Sequence, residues 1–195
     1  MRPVDSWPLS CGIAFKEWAG VCEALTAGRQ SLILRKGGIA EGPGGFVPEQ
    51  SLFWLYPTHV HEAEQGLRIP RDPALVADAP AADVVEVRTL VETGPIWWLD
   101  RSERLAELEE FHVWNEESVE RRFQYRKPGL WVLGVRVYRR EQPWLVGVTP
   151  EQAGCKSWVP LDPALETDGV APVLGDQEYH RVMDHIRSLL NHTER

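Results

Sequence analysis

The sequence predicts an α+β fold: a mixed, mainly antiparallel sheet, open or partly closed, with flanking helices. Three observations carry this. The segments "DVVEVRTLV" and "LWVLGVRVYR" alternate with period two, as half-buried strands do. Residues 13–27 and 176–190 carry apolar stripes at helical spacing. No regular strand–helix–strand alternation runs along the chain, so a doubly wound parallel sheet is not indicated.

In chain order, residues 1–12 read as an N-terminal tail. Over residues 13–27, Ala14, Trp18, Val21, Cys22 and Leu25 fall on one stripe, with Glu17 at its edge. Gly28 stands where a helix end favours glycine. Residues 30–35 read as a short apolar strand that delivers Arg35 and Lys36 into Gly37-Gly38. The following stretch, residues 36–50, holds five glycines and two prolines and excludes regular structure. "SLFWLYP" is a second buried strand, and "THVHEAEQG" starts a helical turn. Residues 70–82, rich in proline and alanine, read as a surface connection.

The period-two strand over 83–91 follows, with Val85, Val87, Thr89 and Val91 on its apolar face. Asp100 and Glu103 resemble a capping box before Leu105 and Leu108. Asn115 is placed to cap a helix that runs through Val119 and Phe123 to the Pro128-Gly129 break. In the strand over 130–139, Trp131, Leu133, Val135 and Val137 alternate with Arg136 and Tyr138. "CKSWVPL" is a short strand. Residues 175–191 hold a closing helix with Tyr179, Val182, Met183, Ile186, Leu189 and Leu190 on its apolar face. The whole chain, 1–195, is expected to be a single domain.

Composition narrows the function classes. Hydrophobic residues make up 43% and charged residues 26%, ordinary for a globular protein. No apolar run approaches the ~20 residues of a membrane helix, and no secretory leader is visible. Three cysteines without C-x-x-C spacing suit reduced thiols, so a cytoplasmic location is expected. A net charge of −8 argues against general nucleic-acid attraction while leaving room for a local basic patch. Nine tryptophans spread along the chain suit packing, and any exposed one would be a stacking platform.

Four constellations could carry chemistry. In "GRQSLILRKGG", Arg35 offers a planar fork and Lys36 a point charge, with glycines leaving room for a phosphate. Arg35, Lys36, Gly37 and Gly38, with Tyr56 on the next strand, are the expected binding set. The competing account is a strand end with solvated charges. Second, His59 and His61 share a face at strand spacing beside Glu62, and two neutral imidazoles suit a divalent transition metal. Glu62 or Glu17 would act there as ligand or base, although surface histidines at a strand end explain the same pattern. Third, the basic run Arg121, Arg122, Arg126 and Lys127 continues to Arg136, Arg139 and Arg140, and its first four cations sit late in a helix that opens with Glu116 and Glu117, an arrangement the helix dipole explains without a ligand. Fourth, "PGGFVPEQ" is similar to the P-G-G segment of Nudix hydrolases, but the acid-rich helix of that motif does not follow.

"GIAFKEWAGVCEALTAGRQSLILRKGGI", "FWLYPTHVHE" and "AGCKSWVPL" resemble the bacterial domain-of-unknown-function family 1802 over most of the chain, from about Gly12 to Leu161. Relatives joined to an ATP-pyrophosphatase-type domain imply a link to nucleotide or RNA metabolism. A more distant resemblance is to the ASCH domains of the PUA-like barrels, which set G-x-K-x-x-E-x-R on a strand after a helix. Gly28 and Arg35 match, while Gln30 replaces the lysine and Ile33 the glutamate. Three functions are therefore expected in turn. The first is a module binding RNA or a phosphorylated small molecule. The second is a metal-dependent phosphoester hydrolase using His59, His61 and Glu62 with Glu17. The third is a non-catalytic scaffold that forms homo-oligomers.

Overall fold

The computed structural model describes residues 7–36, 48–59, 66–68, 83–152 and 156–191. Among the described residues seven strands form one sheet: β1 (Ser10–Trp18), β2 (Leu32–Arg35), β3 (Leu52–Thr58), β4 (Val84–Leu99), β5 (Leu130–Gly147), β6 (Trp158–Glu166) and β7 (Val170–Pro172). Their order is β2-β5-β4-β3-β1-β6, with β7 on β5. Among these strands β1 and β3 pair in parallel, and the other described ladders are antiparallel. Among the described residues four α-helices flank it: α1 (Ala19–Thr26), α2 (Glu103–Ala106), α3 (Glu116–Gln124) and α4 (Asp176–Asn191). This is the α+β, mainly antiparallel class expected, and the sheet is not closed.

Two apolar clusters lie on the sheet's two sides. The larger gathers Phe15, Leu34, Leu55 and Val132 with Leu25 of α1, Val119 and Phe123 of α3, and Met183 and Ile186 of α4. The smaller holds Ala14, Trp54, Tyr56, Leu90, Tyr138 and Val159. Ala14 and Phe15, adjacent on β1, thus enter different clusters, and both are fully buried.

That burial explains the main departure from expectation. The helix expected over 13–27 is a strand followed by a helix, and β1 begins at Ser10, inside the expected tail. A strand covered on both faces has no polar side to show period two, so β1 offers no alternation to read. Trp18, Val21, Cys22 and Leu25 still mimic a stripe because the last three lie in the real helix α1. Two long strands also exceed their readings: β4 runs on to Leu99 and β5 to Gly147. In β4 the register shifts between Val87 and Thr89, which moves the alternation from one face to the other. Val87 accordingly packs in the smaller cluster and Val91 in the larger.

The capping box at Asp100 does not form. The residue before α2 is Ser102, in helical conformation and without a side-chain cap. Asn115 does cap α3, its Oδ1 accepting the Ser118 N–H at 2.9 Å. On α4, Tyr179, Met183, Ile186 and Leu190 are buried, on the face expected. The connection over 70–82 lies outside the described residues, as does the turn over 60–65. Among the described residues no helix is long and apolar enough to cross a membrane.

Candidate functional site

β2 ends at Arg35, and the two adjacent cations there take different partners. Lys36 turns to the C-terminus of α3. Its ammonium donates to the carbonyls of Phe123 at 3.0 Å and Gly129 at 2.6 Å, and to that of Lys127. Terminal helix carbonyls lack intrahelical donors and carry the negative end of the dipole, so a cation fits there. Burial lowers the Lys36 pKa from its ordinary value. With three carbonyls on its three protons, Lys36 is a structural clamp and not the phosphate contact expected of it.

The clamp shapes what lies beyond α3. Arg126 adopts φ 65°, the left-handed region that non-glycine residues rarely enter, and Gly129 adopts φ 130°. Gly129 lies flat against an indole: a Cβ there would come within 2.1 Å of the Trp98 ring. The Lys36 ammonium sits 5.8 Å from the centre of that same ring. Trp98 is nevertheless 46% exposed, and Tyr125 on the same turn is 42% exposed. The Arg126 guanidinium lies 5.1 Å over the Tyr125 ring, and Arg126 and Lys127 face solvent.

Sheet register extends this patch inward. Trp98 pairs with Trp131, and Trp131 with Arg35, across three neighbouring strands. Residues directly opposite in a ladder share a face, so these side chains form one row. The Trp98 and Trp131 rings meet edge to face, 5.1 Å between centres. Trp98 is the exposed end of the row, and Trp131 and Arg35 are both half-buried, the Arg35 side chain being 15% exposed.

Arg35 itself spans the opening of the sheet. Its Nε donates to Ser157 Oγ at 3.1 Å, and its Nη2 donates to the same hydroxyl. Ser157 lies just before β6, so one side chain ties the two edge strands together. The guanidinium lies 5.0 Å over the Phe15 ring, and Nη1 is 3.9 Å from Glu17 Oε2. Glu17 is 2% exposed and its Oε1 accepts the Trp18 N–H at 2.8 Å. Beside this pair, the Arg122 guanidinium lies against two touching indoles, 4.6 Å from the centre of Trp18 and 3.9 Å from that of Trp114. Burial lowers the Arg122 pKa to about 10, with Glu17 opposing that shift, so it stays charged at neutral pH. Glu17 is thus a buried countercharge to these two guanidinium groups.

The remaining expected site residues do not join this group. Tyr56 points to the smaller cluster, on the other side of the sheet, where its hydroxyl reaches Gln152 Oε1 at 3.5 Å. His59 is exposed just beyond β3. Gly37, Gly38, His61 and Glu62 lie outside the described residues. Among the described residues, no three histidines, cysteines or carboxylates gather as a metal site. Gln30 and Ile33, which stand where the ASCH pattern has lysine and glutamate, are both buried. Gln30 bonds main chain, at Leu32 O and the Val113 N–H, and Ile33 is core.

Sequence reasoning missed Trp98 and Tyr125 as surface residues and read Arg126 and Lys127 as helix-end charges. A usable signal was present. Trp97 and Trp98 are adjacent on one strand, so one of the two must face away from the side its neighbour packs on.

The family profile described as Domain of unknown function (DUF1802) matches residues 14–185. No curated protein matches the chain. Among solved structures, ASCH from Zymomonas mobilis matches at 11% identity and a TM-score of 0.42, covering 88% of this chain and 93% of that one. A serine-to-alanine variant of the same protein matches at the same identity and TM-score, covering 91% and 98%. At that identity and TM-score the likeness extends to no residue's role.

Proposed function

The chain belongs to the DUF1802 family, whose name assigns no activity, and from its own surface we propose a nucleic-acid-binding module that holds unpaired RNA bases. The observation that carries this is the exposed aromatic and cationic patch of Trp98, Tyr125, Arg126 and Lys127, set on the clamp that Lys36 makes. Single-stranded nucleic acid is held by flat rings that stack bases and by cations that follow the backbone. Trp98 and Tyr125 supply rings; Arg126 and Lys127 supply charge. Backbone strain at Arg126, on the order of 1–2 kcal/mol, is stored where this surface is built. Arg35 closes the inner end of the Trp98–Trp131 row as a fixed cation.

The test is titration of a short uridine-rich RNA, followed by fluorescence anisotropy at several salt concentrations. Affinity falls with salt, and Arg126→Ala/Lys127→Ala reduces the slope by about 0.7 for each phosphate no longer neutralised. Trp98→Ala weakens binding by about 1–3 kcal/mol, the usual effect of removing the ring under one stacked base. Equal affinity for the wild type and Trp98→Ala would overturn the reading. So would a mass that doubles with concentration in the wild type but not in Trp98→Ala, because the patch would then be a dimer interface.

A further inference from the structure

Along the first turns of α3 lies a cleft of about 290 Å³, lined by Leu105 and Val119 and bordered by α2 and α3. It lies at the lower edge of the range of small-molecule clefts, roughly 300–1000 Å³. Four carboxylates line it: Glu103 and Glu109 from the α2 side, Glu116 and Glu120 from α3. The neighbouring cation is already engaged. Arg68 pairs with the Glu109 carboxylate at 3.2 Å, and its remaining donors reach the main-chain carbonyls of Glu109, His112 and Trp114. Glu120 accepts from Gln124, and Glu103 and Glu116 have no ion pair among the described residues.

Carboxylates alone would be an ordinary solvated rim. The second observation is His112, which lines the cleft and is only 3% exposed, with neither ring nitrogen hydrogen-bonded among the described residues. Trp114 lines it too, 1% exposed, with its indole N–H equally unpartnered. Two buried polar side chains without partners beside one cleft is a costly arrangement, and a bound molecule that completes their hydrogen bonds would remove the cost. A neutral imidazole offers one donor and one acceptor, and an indole one donor.

We propose that this cleft binds a small organic cation: an amine on a short apolar body. The ammonium would sit among Glu103, Glu116 and Glu120, and the apolar body against Leu105, Val119 and the Trp114 ring. His112 would accept from the ammonium or pair with a polar substituent. The cleft is separate from the RNA surface proposed above, so the two readings stand or fall independently.

The experiment adds phenethylamine to the intact chain and follows the His112 ring and Trp114 indole resonances by NMR. Phenethyl alcohol is the neutral counterpart and spermidine the cation without an aromatic body. Saturable shifts at both residues are expected with phenethylamine, with weaker binding of spermidine and none of the alcohol. Glu103→Gln and Glu116→Gln should each weaken phenethylamine about tenfold, the size of one charge-assisted hydrogen bond. Equal binding of the amine and the alcohol would overturn the cation assignment. Unmoved His112 and Trp114 resonances at millimolar phenethylamine, or shifts confined to Trp98, would overturn the site. Glu103 lies on the exposed short helix α2, so its variant keeps the test sound should Glu116→Gln disturb the start of α3.

Discussion

His112 holds the sharpest electrostatic consequence of a single side chain. Burial, and then the nearby Arg68 charge, lower its pKa from 6.5 to about 4. The unfolded chain protonates this imidazole as pH falls through about 6.5, whereas the folded chain resists until about 4. Between those values the unfolded state binds more protons, so stability falls as pH falls, by about 3 kcal/mol in all. Above 6.5 both states are neutral and the group contributes no slope. Urea unfolding of the wild type from pH 7 to 4 should show this loss, and His112→Gln should flatten it. Parallel pH profiles for the two proteins would mean that the imidazole is solvated after all. No local pattern marks this residue in advance. His112 follows an apolar position on a short irregular stretch, where no period distinguishes which side chain turns inward, so it reads as peripheral.

At the level of elements, the stretch from Gly28 to Lys36 works by joining β2 to the end of α3. Its strand was legible because three apolar residues precede a charge, and its glycines bound it clearly. The destination of Lys36 was not legible, since the three carbonyls it meets lie some ninety residues on in sequence. Only the sheet order, which sets β2 beside β5, brings them together. The same order shows why α3 could be read so well: Asn115, Glu116 and Glu117 are local signals, and local signals survive without a fold. Lys36→Met keeps the stem and removes the ammonium, so the Lys127 and Gly129 carbonyls lose this donor and the Phe123 carbonyl keeps only the Gly129 N–H. It should cost about 1–3 kcal/mol in urea unfolding. It should also speed amide exchange at Tyr125 and Gly129, whose N–H groups close the last turn onto Arg122 and Phe123. An unchanged exchange rate there would show that α3 ends securely without the clamp.

Across the whole molecule, one open sheet separates two cores, and β2 and β6, which end the strand order among the described residues, are the place where such a sheet can loosen. The α+β class was readable from period two in β4 and β5, which are long and border the surface at one end. β1 was not, because burial on both faces removes the pattern that reading depends on. That same burial makes the edge bridge necessary. Arg35 reaches across from β2 to Ser157 and neutralises Glu17, which lies in the larger core beside Phe15. Removing Arg35 therefore does two things at once: it unties β6 and strands a buried carboxylate. Arg35→Met fills the same space without charge and should cost about 3–5 kcal/mol, as breaking a buried pair from one side does. Glu17→Gln retains an oxygen for the Trp18 N–H, so alone it should cost less. Combined, Glu17→Gln and Arg35→Met should cost clearly less than the sum of the two, because the stranded charge is gone and only the missing tie to Ser157 remains. A double-mutant cycle in urea tests this, with Ser157→Ala as a separate measure of the tie itself. Strict additivity between Glu17 and Arg35 would show that Arg122, held against Trp18 and Trp114 beside the same carboxylate, supplies the countercharge in place of Arg35.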